Sequence, residues 1–99
     1  LRRGELGETA FFILEGEVEV LAVRADGREE RIDHLGPGRY FGELAILGDR
    51  RRTATVRAVG AGSVKLLELN EAAFRELITL SDRFAADVRD TSAERQARL

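Results

Sequence analysis

Cysteine, methionine and tryptophan are absent from the 99-residue chain, and histidine, proline and tyrosine occur once each. Without cysteine there is no disulfide, no zinc–thiolate centre and no thiolate nucleophile. The single imidazole, His34, cannot build a metal centre with three histidine ligands, and a Ser-His-Asp triad would depend on it entirely. His34 lies in a polar run, which favours a solvated surface position. We therefore expect no enzyme activity, no catalytic residue, no metal and no cofactor.

Strong net charge and long apolar runs are also lacking. The formal net charge is −2, so no field of one sign favours nucleic acid or an anionic membrane. No apolar run approaches the ~20 residues of a membrane span, and no signal peptide is visible. We therefore expect a cytoplasmic domain that itself contacts neither nucleic acid nor membrane. Because the chain starts at Leu1 rather than at methionine, we also expect it to be part of a longer protein.

Ten glycines separate short apolar or alternating runs, a spacing typical of an all-β sandwich or roll. Residues 10–14 form a continuous apolar run, which predicts a strand buried on both faces. The next run alternates, and this places Val18 and Val20 inward. Asp26-Gly27 predicts a hairpin turn, and the polar residues 28–35 after it predict an exposed edge strand.

Helical signals begin only after the last predicted strand. Asn70 and Ser81 are good N-cap residues, and apolar residues follow each of them at helical spacing. Beyond Val88 the apolar stripe nearly vanishes, so a helix there needs support from a ligand, a partner or the rest of the protein. The length suits one domain, with strands over residues 1–69 and C-terminal helices over residues 70–99.

Residues 41–56 hold the groups with the clearest chemical use. Gly42 lets the backbone approach a ligand closely because it has no Cβ. Glu43 stands at a predicted helix start, where backbone N–H groups bind phosphate oxygens. Arg52 carries a charged fork that matches a phosphate bidentately. Since Glu43 cannot bind phosphate, a sugar hydroxyl is its natural donor, and the segment fits a phosphorylated sugar.

The string FGELAILGDRRRTATV resembles the phosphate-binding cassette of the cyclic nucleotide-binding domain family. That family includes bacterial catabolite activators, kinase regulatory subunits and nucleotide-gated channels. The apolar run at 10–14, the turn at Gly16 and the segment 35–40 also match the family, so the resemblance covers nearly the whole chain. It implies a mainly β fold, a double-stranded β-helix or jelly-roll-like β-roll with C-terminal α-helices, whose cassette spans residues 41–56.

The resemblance also implies residue roles. Glu43 accepts from the ribose 2′-hydroxyl, and Arg52 pairs with the cyclic phosphate. Arg52 is chosen from a run of three arginines because residues 53–56 then fall in step with the family string. Thr53 accompanies cyclic GMP in some members and cyclic AMP in others, which leaves the base open. The amides that complete the phosphate cradle belong to Gly42, Leu44, Ala45 and Ala54.

Each of these roles has a structural alternative. Arg52 can be a solvated surface arginine, and Glu43 can be an acid that the helix dipole favours. Arg95, in the polar helical tail, can reach over the bound base as a lid. The alternative for Arg95 is also an exposed surface position.

The function implied by the resemblance is that of a cyclic nucleotide sensor. The expected ligand is cAMP or cGMP, and the C-terminal helices relay its binding to a covalently linked output module. A homo-oligomer is a further expected partner arrangement. Two alternatives stay open: a structural or assembly relative of the same fold that binds no ligand, and the sensor half of a transcription regulator.

Overall fold

The computed structural model describes residues 7–48, 54–60 and 62–99. Strands dominate the first two thirds of the chain, and helices form most of the rest. The strands are β1 (Thr9–Glu15), β2 (Val18–Val23), β3 (Glu29–Leu35), β4 (Tyr40–Phe41), β5 (Thr55–Ala58) and β6 (Lys65–Asn70). The helices are α1 (Glu43–Leu47), α2 (Glu71–Leu80) and α3 (Asp82–Arg98). The predicted fold class, mainly β with C-terminal helices, is confirmed.

The strands form two antiparallel three-stranded sheets, in the orders β4-β1-β6 and β3-β2-β5. The β2–β3 hairpin turns at Gly27, whose φ of 85° suits glycine. As predicted, β3 is an edge strand of its sheet. One sequence-based expectation is wrong: Leu14 is 54 % exposed, because the β1–β6 register shifts between Ile13 and Glu15.

Two apolar clusters hold the described residues together. The first lies between the sheets and contains Ile13, Val18, Val20, Ala22, Ile32, Leu35 and Phe41. The second lies between β1, β4 and the helices and contains Ala10, Tyr40, Ile46, Phe74 and Val88. Because neighbouring side chains of a strand point to opposite faces, Phe41 enters the first cluster and Tyr40 the second. The short strand β4 therefore joins the roll to the helices.

Both predicted N-caps are confirmed at the helix starts. Asn70 Oδ1 accepts from Ala73 N at 2.8 Å, and Ser81 Oγ accepts from Phe84 N at 3.1 Å. Such caps satisfy amide donors that have no partner within the helix. Among the described residues, no helix is both long and apolar enough to cross a membrane.

The polar tail of α3 differs from the sequence-based expectation. The helix continues to Arg98 although its apolar stripe ends at Val88. Its support comes from within the domain, since Arg95 is only 4 % exposed. At the end of the helix, Arg24 donates to the backbone oxygens of Arg98 and Leu99 at 3.3 and 3.2 Å. Polar contacts with the roll thus replace the missing apolar face.

Candidate functional site

The site begins at the junction between β4 and α1. Gly42 has a φ of 89°, a left-handed conformation that side chains with a Cβ rarely adopt. This turn places Glu43 at the first position of α1, where it is 1 % exposed. Near the C-terminal end of α1, Arg75 of α2 donates to Ile46 O at 3.1 Å. The roll and α2 together therefore fix the position of the Glu43 carboxylate.

Arg95 of α3 reaches this carboxylate. One Nη atom donates to Glu43 Oε1, and the other donates to Tyr40 O at 2.8 Å. The Arg95 Cζ lies 5.6 Å from the centre of the Tyr40 ring, within cation–π range. The exposed surface position considered for Arg95 is therefore wrong, because the side chain is buried and bound to the cassette.

A second carboxylate faces the same guanidinium. Asp33 Oδ2 of β3 lies 3.5 Å from Arg95 Nε, an ion-pair distance that exceeds a hydrogen bond. The Asp33 side chain is 26 % exposed, whereas those of Arg95 and Glu43 are almost completely buried. Arg95 therefore lies between two acids that come from different parts of the roll. Two charges removed from water are tolerated when they pair and hydrogen-bond each other in this way.

Tyr40 ties α3 to the roll at a second point. Its hydroxyl donates to Asp87 Oδ2 at 2.7 Å. Its ring packs against the ring of Phe84, which is also on α3. Burial raises the pKa of Tyr40 above its ordinary value of 10.0; a hydrogen bond with Thr91 opposes the rise and the Asp87 carboxylate reinforces it. Tyr40 thus contacts α3 through its side chain near Asp87 and through its backbone oxygen at Arg95.

The structure describes five of the seven predicted ligand-binding residues of the cassette. Gly42, Glu43, Leu44 and Ala45 are consecutive at the start of α1. Ala54 directly precedes β5 and packs against the inter-sheet cluster. Arg52 and Thr53 lie outside the described residues. Arg95, the predicted lid, contacts Glu43, the predicted ribose acceptor.

Sequence reasoning missed Asp33, Tyr40 and Asp87 as neighbours of the site. One signal was available for Arg95: it follows Val88 by seven residues and Phe84 by eleven, which keeps all three on the same helix face. No local pattern marks Asp33, since its contact depends on how α3 crosses β3.

An apolar cavity of about 200 Å³ lies at the seam between β5 and β6, away from the Glu43–Arg95 contact. Its lining comes from both sheets and comprises Phe11, Val18, Phe41, Val56, Arg57, Ala58, Val64 and Leu66. Phe41 belongs to this lining and directly precedes Gly42. The cavity thus reaches Phe41, the first residue of the cassette.

Comparisons with known proteins assign a family to this chain. Residues 1–81 match the family model described as the cyclic nucleotide-binding domain. The chain is 40 % identical over 78 residues to a cAMP-dependent protein kinase regulatory subunit of Blastocladiella emersonii, covering 79 % of this chain and 19 % of that protein. It is 39 % identical over 95 residues to a cyclic nucleotide-gated potassium channel of Mesorhizobium japonicum, covering 96 % of this chain and 24 % of the channel.

Solved structures show the same architecture. The regulatory domain of Toxoplasma gondii PKA, crystallised with cAMP, matches with a TM-score of 0.67 and 37 % identity over 77 % of this chain and 28 % of that one. The Thermus thermophilus catabolite activator protein matches with a TM-score of 0.71 and 27 % identity, over 97 % of this chain and 48 % of the activator. The chain thus spans less than half the length of each of these relatives. By its sequence match over residues 1–81, it belongs to the cyclic nucleotide-binding domain family.

Proposed function

We propose that this domain binds a cyclic nucleotide, cAMP or cGMP, and relays its binding through α2 and α3 to an output module in the same protein. The observation that carries the proposal is the buried contact between Glu43 of the cassette and Arg95 of α3. A carboxylate buried at a helix start and an arginine from the C-terminal helix meet where the family resemblance expects the ribose. Family membership supplies the ligand class.

The proposed ligand contacts combine charge and backbone donors. Glu43 accepts from the ribose 2′-hydroxyl, and Arg52 pairs with the cyclic phosphate, whose charge needs a cationic partner. Backbone amides at the start of α1, from Gly42 to Ala45, and the amide of Ala54 complete the phosphate cradle. The left-handed turn at Gly42 supports this assignment, because a Cβ there would strain the loop. Arg95 meets the nucleoside from the α3 side, as a lid over sugar and base.

The proposed relay follows from the contacts of α3. Arg95 joins α3 to Glu43 and to the backbone oxygen of Tyr40, and the Tyr40 hydroxyl adds a bond to Asp87 of α3. A ligand on Glu43 therefore changes the free energy of α3 docking directly. Such coupling needs the ligand to prefer one helix position, typically by about 1–3 kcal/mol.

The proposal describes a regulatory binding module rather than a catalyst. The relatives are regulatory subunits and gated channels that are several times longer than this chain. We further propose that the domain is cytoplasmic, is linked to an output module and associates with a second copy of itself. The base preference follows from neither Glu43 nor Arg52, since both contact parts that the two nucleotides share.

Isothermal titration calorimetry with cAMP, cGMP and 5′-AMP tests the proposal. We expect at least one cyclic nucleotide to bind with one site per chain and the acyclic 5′-AMP to bind far more weakly. A thermal melt checks the same point, since ligand at 100 times its Kd stabilises the fold by about 2.7 kcal/mol. A folded domain that neither binds nor is stabilised by millimolar cyclic nucleotide would instead support the structural relative of the same fold.

A further inference from the structure

Asp33 owes its direction to an irregularity in β3. Along the β2–β3 ladder, Val20 pairs with Asp33 and Leu21 pairs with Arg31, so Ile32 is an extra residue in the edge strand. Such bulges re-aim a side chain, and they are frequent beside functional sites. Ile32 is buried in the inter-sheet cluster, while Asp33 faces α3 and meets Arg95.

The contact between Asp33 and Arg95 is incomplete. Arg95 Nε is buried and donates no hydrogen bond within the described residues, although Asp33 Oδ2 lies 3.5 Å away. Asp33 Oδ1 accepts from the amide of His34 at 3.0 Å. A buried donor without an acceptor is costly and rare. A donor, Nε–H, and an acceptor, Oδ2, therefore lie side by side, close to the carboxylate assigned to the ribose.

This pair of groups complements a base edge that presents an N–H donor beside an acceptor. Adenine presents an amino donor at N6 beside an acceptor, N1 on one edge and N7 on the other. Guanine presents two acceptors, N7 and O6, on the corresponding N7 edge, whereas its other edge presents the N1–H donor beside O6. A carboxylate only accepts, so it repels O6 on the N7 edge of guanine and attracts the 6-amino group of adenine.

We propose that Asp33 is a specificity-determining residue: its Oδ2 accepts from the 6-amino group of adenine while Arg95 Nε–H donates to the adjacent ring nitrogen. This inference rests on the proposed function, because it needs the ribose at Glu43, and it makes the 6-amino group of adenine a determinant of cAMP affinity. Since Nε is shielded from solvent when α3 is docked, the base enters before α3 closes and completes both bonds on closure.

The test compares cAMP with purine riboside 3′,5′-cyclic monophosphate, which lacks only the 6-amino group, and with cGMP. Calorimetry is carried out on the unmodified domain, on Asp33→Ala and on Glu30→Ala as the control. Glu30 is on the same strand, but it is exposed and bonds to Arg24. We expect cAMP to bind about 5- to 150-fold more tightly than the deaminated analogue. Asp33→Ala should reduce that ratio to about twofold or less, and Glu30→Ala should keep it.

The outcomes separate the two proposals. Equal binding of cAMP and the deaminated analogue by the unmodified domain overturns the specificity role, and this comparison needs no variant to fold. An equal loss for both ligands in Asp33→Ala also overturns it, because Asp33 would then only orient Arg95. Failure of all three nucleotides to bind the unmodified domain contradicts the proposed function itself.

Discussion

Glu43 and Arg95 lie 52 positions apart in the sequence and make a buried hydrogen-bonded ion pair between the cassette and the last turns of α3. Glu43 follows the left-handed turn at Gly42, and Arg95 occupies the face of α3 that packs on the roll. One contact thus unites the proposed ligand acceptor with the element that we propose carries the signal. We expect the strength of this pair to contribute to how firmly α3 docks.

Arg95→Ala should destabilise the domain, because it leaves the Glu43 carboxylate buried without its cation. Breaking a buried pair from one side costs about 3–5 kcal/mol. Urea unfolding measures the loss. Arg89→Ala is the matched control, since Arg89 is on the same helix but its side chain is 75 % exposed, and its loss should stay within about 0.5 kcal/mol.

A double-mutant cycle identifies the cause of that loss. Adding Glu43→Gln to Arg95→Ala replaces the isolated charge by a neutral amide and should recover part of the stability. Additive losses in the double variant, or unchanged unfolding of Arg95→Ala, would show that the pair contributes nothing to α3 docking.

Tyr40 should ionise only at strongly alkaline pH. Its pKa is raised above 10.0 in the folded state, chiefly by burial. The neutral form is therefore favoured by folding, and its contribution to stability is complete below pH 10 and lost as the pH rises through the folded pKa. Because Tyr40 is the single tyrosine and tryptophan is absent, tyrosinate absorbance reports on it alone.

The titration compares native protein with protein unfolded in urea. We expect a midpoint near 10 in urea and a clearly higher one in the native state. Tyr40→Phe should lose the bond to Asp87, lower stability by about 1 kcal/mol and flatten the decline of stability above pH 10. Coincident midpoints for native and unfolded protein would contradict the buried position of Tyr40.

Arg52→Ala should weaken binding of the cyclic nucleotide by about 2–5 kcal/mol, the usual cost of truncating one partner of a desolvated charge pair. Arg50→Ala is the control, because it removes the same charge from the same arginine run. A larger loss for Arg50→Ala would show that the register chosen for the cassette is wrong. Unchanged affinity in both variants would contradict the phosphate role of this run.

Much of the fold could be predicted because its signals are local. Alternation placed Val18 and Val20 inward, and the side chains of Asn70 and Ser81 marked the helix starts. These features depend only on strand or helix geometry within a few residues. The predicted helix start at Glu43 also agrees with the structure, although Gly42 provides no side-chain cap there.

The surroundings of Arg95 could not be predicted in the same way. Its partners come from β3, β4 and α1, and no sequence spacing encodes how α3 lies across them. A polar helix tail indicated weak support, because burial is usually apolar. The structure shows support by paired charges instead, which sequence periodicity does not reveal.

The most direct test of the central claim is the affinity of the unmodified domain and of Glu43→Gln for the tighter-binding cyclic nucleotide and for its 2′-deoxy analogue. Hydrogen bonds to charged groups contribute about 1.5–3 kcal/mol, so deletion of the 2′-hydroxyl should weaken binding to the unmodified domain about 10- to 150-fold. Glu43→Gln should discriminate less, about 2- to 10-fold, because its neutral amide oxygen still accepts a hydrogen bond but carries no charge. If Glu43→Gln instead discriminates between the two as strongly as the unmodified domain does, the ribose does not bind at Glu43 and the account fails.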